Sequence, residues 1–126
     1  MTTIELPYPP SVNAYYKNVR GRVVIASAGK RYRERVRAMI RSCGQLPGRV
    51  TAIAEFYPPD RRRRDQDNLF KAFFDSIKYG LIEDDSEVKV TLAVMGDPVP
   101  PSGLVYLRLL PHDVNHFRKA VQAICS

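Results

Sequence analysis

Apolar residues recur along this chain with two periods, and the switches between them mark its elements. Thr3–Leu6 alternates and predicts a short strand, stopped by Pro7-Tyr8-Pro9-Pro10-Ser11, where successive prolines favour extended or turn-like backbone. Val12–Arg20 reads as a loop, and Arg22–Ala26 as a second strand entered through Gly21. Tyr32, Val36, Met39 and Ile40 repeat at helical spacing, predicting a core-facing helix over Ser27–Cys43 with Ser27 as its N-cap. Over Arg49–Tyr57, Val50, Ala52, Ala54 and Phe56 alternate with Thr51, Ile53, Glu55 and Tyr57, the signature of a central strand. Asn68–Tyr79 returns to the helical period, with Leu69, Phe73 and Ile77 in one stripe, Phe70 and Phe74 beside it, and Gly80 at the C′ position. Glu87–Met95 places Val88, Val90, Leu92 and Val94 on one face of a strand. Leu104–Leu110 would pair with it antiparallel, and His112–Ile124 closes the chain as an amphipathic helix with Asp113 at its start and Val114, Phe117, Val121 and Ile124 as its apolar set. The sum is an α/β (α+β) fold: a small mixed or antiparallel sheet with helices packed on one face.

A chain of 126 residues with 44% hydrophobic content fits one domain with a packed core. Its net charge of +7 points to an anionic partner such as nucleic acid. The cations are concentrated: arginines at 20, 22, 31, 33, 35, 37 and 41, then an unbroken run from Arg61 to Arg64. Those on the first long helix read either as a solvated face or as backbone phosphate contacts. Asn13, Tyr15, Tyr16 and Lys17 put polar and aromatic groups on one loop, suited to stacking on bases or lining a backbone groove; packing of a tyrosine on the core is the plainer alternative. Cys43 and Cys125 lie far apart without metal-ligand spacing and read as thiols of a reducing cytoplasm. No apolar run nears membrane-spanning length, and the N-terminus lacks a signal-peptide pattern. His112 and His116 are spaced i, i+4 without a third ligand in view and read as a surface pair.

The chemistry concentrates in Pro58–Lys71, where four arginines run into Asp65 and Asp67. Cations gather phosphate and bare carboxylates repel it. A divalent metal reconciles them, since Mg²⁺ sits between one or two carboxylates and a substrate phosphate. In an extended chain Asp65 and Asp67 share a face, with Arg61 and Arg63 on the same side and Arg62 and Arg64 opposite; inside a helix the two acids would diverge, so a shared metal requires them before the helix. Lys71 lies four residues after Asp67; if Asp67 opens the helix, the two share its face. The lysine then either touches the metal-bound phosphate or pairs with Asp67 or Asp75. A third carboxylate is expected from Glu83-Asp84-Asp85. Converging acids are costly, roughly 3 kcal/mol per pair at about 5 Å, so such a cluster makes a cation trap; a structural Arg–Asp network is the competing account. An EF-hand fails, because its required glycine and glutamate fall on Phe70 and Ser76. The chemistry implied is metal-dependent phosphodiester hydrolysis.

These residues resemble the RusA family of crossover junction endodeoxyribonucleases, which resolve Holliday junctions. The resemblance rests on Leu6-Pro7-Tyr8-Pro9-Pro10-Ser11 with Asn13 and Tyr15-Tyr16, on Asn18-Val19-Arg20-Gly21-Arg22, on Pro59–Leu69 with Lys71, and on Asp84-Asp85. It covers roughly residues 1–110, leaving the last helix as an extension. It implies a small α/β homodimer that binds four-way junction DNA by its structure and makes paired nicks with Mg²⁺, or Mn²⁺ as a substitute, without a small-molecule cofactor. It places the catalytic, metal-binding acids at Asp65, Asp67 and Asp85 and the functional lysine at Lys71, with Asn68 matching a further motif position. Arg61, Arg62, Arg63 and Arg64 would bind DNA beside Asn68, Asn13, Tyr15, Tyr16 and Lys17. The two-fold symmetry of a junction argues for a dimer too, since one chain carries one acidic cluster and two nicks need two. The alternatives are a non-catalytic DNA-binding or regulatory protein, and an Mg²⁺-dependent nuclease for other branched or single-stranded DNA.

Overall fold

A computed structural model describes residues 2–125, the side chains of Thr2 and His116 excepted. In chain order it contains β1 (Thr2–Leu6), α1 (Val12–Tyr15), β2 (Tyr16–Val19), β3 (Arg22–Ile25), α2 (Ser27–Ile40), β4 (Val50–Tyr57), α3 (Asp67–Ile77), a 3-10 turn (Asp85–Glu87), β5 (Val88–Met95), β6 (Leu104–Pro111) and α4 (Val114–Cys125). Four strands form a mixed sheet in the order β1-β6-β4-β5, in which only β4 and β5 run parallel. Strands β2 and β3 form a separate two-stranded ribbon.

Strand β4 is interior because its core face, Val50, Ala52, Ala54 and Phe56, is wholly buried. Helices α2 and α3 cover that face through Tyr32, Val36 and Ile40 and through Leu69, Phe73 and Ile77. Each fully buried side chain of α3 contributes about 1.5–3 kcal/mol relative to exposure, so Phe73→Ala would cost about 3–5 kcal/mol. The helix is the crossover of a β-α-β unit, which parallel neighbours require. Its entry loop, residues 58–66, therefore stands at the carboxyl end of β4, the edge where open α/β sheets hold ligands.

Several expectations are corrected. The segment 12–20 is not a loop but a helical turn followed by β2. Strand β6 pairs with β1 and β4 and not with β5, because β4 stands between them. A register shift beside Lys89 pairs Val50 with Val88 but Thr51 with Val90. One extra residue reverses the facing of everything beyond it. Val88, Ala93 and Met95 thus pack on the core, while Val94 is 52% exposed on the opposite face. Ser27 is the first helical residue of α2 and Ala26 its cap, without a side-chain hydrogen bond. Met39 lies outside the core stripe, 45% exposed. At the end of α3 the left-handed residue is Tyr79, with φ 64°, not Gly80. Gly80 serves close packing instead, since a Cβ there would sit 2.5 Å from Ile40 Cδ1. His112 sets Nδ1 3.1 Å from Thr51 Oγ1; the side chain of His116, the other member of the expected pair, lies outside the described residues.

Candidate active site

The carboxylates divide into those the fold neutralises and those it leaves alone. Asp60 is neutralised: Arg64 reaches it at 2.8 Å and Arg62 at 3.3 Å, and the Arg62 amide donates to it at 2.9 Å. Arg64, then the Arg62 amide, hold its carboxyl well below the usual range. Arg62 and Arg64 turn to one partner together, as alternation in an extended segment allows. Arg64 also lies 5.7 Å from the Tyr8 ring centre. Arg61 and Arg63 are exposed, with no ion pair to an acid among the described residues.

Asp65 and Asp67 are exposed, and among the described residues neither holds a hydrogen bond or ion pair to a cation. Asp65 lines a groove with Tyr8, Ser11, Arg63, Arg64 and Asn68. The requirement that both acids precede the helix is not met: Gln66 already has helical dihedrals, φ −58° and ψ −44°, and Asp67 is the first residue of α3. Its carboxylate therefore stands at the positive end of the helix dipole, a favourable place for an anion. Because Asp67 opens the helix, Lys71 lies one turn along the same face. The lysine pairs with neither Asp67 nor Asp75; its ammonium rests 4.8 Å from the centre of the Tyr16 ring.

The acidic turn arrives from the other end of α3. Parallel pairing starts β5 beside the start of β4, so Asp84 and Asp85 lie toward the helix C-terminus, where Lys78 is found. Asp84 caps the 3-10 turn, accepting from the Ser86 amide and hydroxyl, which lowers its pKa. Asp85 is exposed and close enough to Tyr16 that its charge, after burial and Asp75, helps raise the phenol pKa. Lys71 on Tyr16 thus stands between the Asp65–Asp67 pair and the Asp84–Asp85 turn. Among the described residues no group of three or more acids, histidines or cysteines is close enough to hold a metal. The acids form a strip along α3, not the single cage expected from the sequence; bare like charges have no reason to converge.

Behind this strip lies a knot that sequence reasoning passed over. Asp75, 6% exposed, accepts from the Tyr15 hydroxyl and pairs with Arg33 and Lys78, both at 3.1 Å. Burial pushes its carboxyl up, but hydrogen bonds from Tyr15 and Lys78 and the Arg33 charge outweigh that, and the net shift is down. Tyr15 is fully buried and pushed up to about 12 by burial and by Asp75. It belongs to the core and not to a DNA groove; the tyrosine open to a ligand is Tyr16, half-buried, its ring 4.7 Å from that of Tyr15. Arg33 likewise leaves the solvated arginine face for an internal pair. Asn13 and Lys17 are exposed, and Asn68 is half-buried. The one signal available in the sequence was an acid at position 75 in the middle of an apolar helix face.

Comparison with known proteins places the chain in a family. The family described as Endodeoxyribonuclease RusA matches residues 7–100. A crossover junction endodeoxyribonuclease RusA of Escherichia coli (strain K12) is 40% identical over 111 residues, 85% of this chain and 92% of that protein. The protein of that name from Enterobacteria phage 82 is 41% identical over 110 residues, 84% and 91% of the two chains. With the family match spanning well over half its length, this chain belongs to the RusA family of endodeoxyribonucleases.

Proposed function

We propose that this chain is a crossover junction endodeoxyribonuclease, resolving Holliday junctions by paired, symmetric hydrolysis of phosphodiester bonds during recombination and repair of DNA in the cytoplasm. The observation that carries the reading is the pair of exposed, unneutralised acids, Asp65 and Asp67, between an arginine run and Lys71. A fold that ties Asp60 and Asp75 to nearby cations leaves these two bare, as residues reserved for an external cation are left.

The donor set fits a hard divalent ion, for which we propose Mg²⁺, with Mn²⁺ as a substitute: two carboxylates suffice when water and phosphate oxygens complete the shell. Asp65, from the loop before α3, and Asp67, at its first position, would hold it; Asp85, the third acid that the resemblance implies, stands beyond Lys71 toward the other end of the helix. When bound, it supplies an acidified water and charge neutralisation at the scissile phosphate. The chain's own residues do the rest. Arg61 and Arg63 take backbone phosphates, and Asp60 holds Arg62 and Arg64 ready beside them. Lys71 leaves the Tyr16 ring to meet the charge that develops on the reacting phosphate, an interaction strongest in the transition state. Asn68, Asn13, Lys17 and Tyr16 border the same approach.

Two nicks need two sites, which a two-fold homodimer provides. The sheet face opposite the helices supports this, because Val94 and Tyr106, 52% and 41% exposed, stand on it beside Ile53 and Leu92. The test is incubation of the protein with a synthetic four-way junction and Mg²⁺, with and without EDTA. Paired nicks that vanish with chelator are expected; nicks of equal rate from Asp67→Asn would overturn the assignment. Binding without nicks under any metal would favour a regulatory DNA-binding protein instead, and preferential cutting of flaps or single strands another nuclease.

A further inference from the structure

The ribbon β2–β3 has no part in the core beyond its root. Tyr16 pairs with Ile25 there, and both pack against the hydrophobic cluster. Beyond that pair every residue from Lys17 to Val24 is exposed, with Val19 at 42%, Val23 at 68% and Val24 at 38%. The ribbon has two strands only. Such a hairpin is marginal in water unless its turn favours it. Here it does: Arg20 and Gly21 have φ of 51° and 77°, the positive pair a two-residue type I′ turn demands. The fold therefore maintains an arm on which Val23, at 68% exposure, presents most of its side chain to solvent.

Charge and position identify its occupant. No acidic residue occurs between Val12 and Arg33, whereas the ribbon carries Lys17, Arg20 and Arg22. Register divides its faces. Lys17 and Arg22 share one, opposite Val24 and Val19, while Asn18 and Val23 share the other with Tyr16, the ring on which Lys71 rests. The arm thus extends outward from the candidate catalytic lysine. We infer that the β2–β3 ribbon is a DNA-engaging arm. Lys17 and Arg22 take backbone phosphates beside the scissile strand, and Val23 packs on base faces left unstacked at the branch point. Apolar side chains placed between base steps are an established way of holding distorted DNA. The inference rests on the DNA-directed reading above but not on hydrolysis.

Binding is measured in EDTA to a four-way junction and to linear duplex, over a range of salt. For Lys17→Gln/Arg22→Gln the slope of log affinity against log salt should fall by about 1.8, at about 0.9 for each phosphate no longer neutralised. For Val23→Ser the slope should hold while the preference for junction over duplex drops about five- to tenfold, the scale of burying part of one valine side chain. Circular dichroism and sedimentation accompany both variants. An unchanged slope in the double variant, or an unchanged preference in Val23→Ser, overturns the inference. So does a change of oligomeric mass in a folded variant, which would make the arm a subunit contact. A wild-type protein that binds junctions and never nicks them would sink the nuclease reading and leave the arm standing.

Discussion

Asp67 and Asp75 lie two turns apart on one helix and meet opposite fates. Asp75 is 6% exposed and has three donors: Tyr15, Arg33 and Lys78. Asp67 is exposed at the helix start, has no cation partner among the described residues, and has an arginine run just upstream. If proximity alone decided pairing, those arginines would neutralise it. Instead Arg62 and Arg64 turn back to Asp60. A buried carboxylate must be satisfied or the fold loses several kcal/mol. An exposed one can wait for a ligand, and only that kind is free to bind a metal and then a phosphate. One helix thus joins a stability site to the proposed chemistry site, with Lys71 between them on Tyr16.

The comparison breaks most easily at Asp67. Asp67→Asn should cut junction nicking in Mg²⁺ by about 10³-fold or more, the scale set by loss of a group that stabilises charge in the transition state. The thermal midpoint should stay level or fall slightly, because nothing buried is exposed and only the favourable place of the anion at the helix start, about 0.3–1 kcal/mol, is lost. Affinity for the junction in EDTA should hold or increase. Nicking assays beside calorimetry check this; a variant that loses activity only as it loses its fold would place Asp67 with Asp75.

Asp75→Asn should do the converse. Removing the acid strands Arg33 and Lys78, and loss of one member of a buried pair costs about 3–5 kcal/mol. Each cation keeps about a quarter of its side chain in solvent, so about 2–4 kcal/mol is expected. The urea midpoint should fall with the m-value unchanged, while nicking per folded molecule stays within a few-fold. Titration adds a signature at each end of the pH range. The folded carboxyl of Asp75 titrates below its unfolded value, so its stabilisation is whole above about pH 4 and lost as pH falls through the depressed value. Tyr15 is raised to about 12 from an unfolded value near 10, so its share is whole below about pH 10 and lost as pH rises toward 12. Tyr15→Phe should cost about 1–2 kcal/mol and flatten that alkaline limb. An alkaline limb as steep in Tyr15→Phe as in the wild type would show that another group carries it.

Much of this is legible in the residues alone, and what is not has a common cause. Periodicity locates β1, β4, β6, α2 and α3 within a few residues, because each buries one continuous stripe or face; it locates α4 from the helical period alone, since Val114, Val121 and Ile124 of its apolar set are 50%, 37% and 72% exposed. It misreads β5, where the shift beside Lys89 moves Val94 outward without disturbing the run of valines that suggests a strand. It also misses α1 and β2, whose residues face solvent or a local knot and carry no core pattern. Pairing of β6 with β4 is a long-range choice with no local signal. At the site, charge spacing picks out Asp65, Asp67 and Lys71 and foresees that a helix opening at Asp67 would put Lys71 on its face. Which acids find partners is beyond it: pairing of Asp60 with Arg62 and Arg64, and of Asp75 with Arg33, depends on burial and on contacts across the fold. So does the separation of Asp85 from Asp67 along α3, which follows from the parallel crossover.

The smallest effect is the sharpest discriminator, because Asp60 combines features of both classes. It is paired like Asp75, yet it sits in the arginine loop like Asp65. Its partner Arg62 is largely in solvent, the side chain 81% exposed. The exposed Arg62 pair contributes little, and Arg64, its side chain 19% exposed, keeps the Asp60 and Arg62 carbonyls as acceptors at 3.2 and 3.0 Å, so Asp60→Asn should lower the melting temperature only slightly. What it changes is the loop's field: the charge rises by one, and Arg62 and Arg64 lose their carboxylate partner, while Arg64 keeps its bonds to the Asp60 and Arg62 carbonyls. If Asp60 competes with DNA for those arginines, junction affinity should rise about two- to fivefold at low salt, and the gain should fade as salt screens it. If Asp60 instead holds them in the geometry the backbone needs, affinity falls and the salt slope shrinks. The first outcome makes Asp60 a placeholder for phosphate and groups the loop's charges with Asp65 and Asp67. The second makes it a brace, a surface counterpart of Asp75, and moves the boundary between the two regions into the arginine run itself.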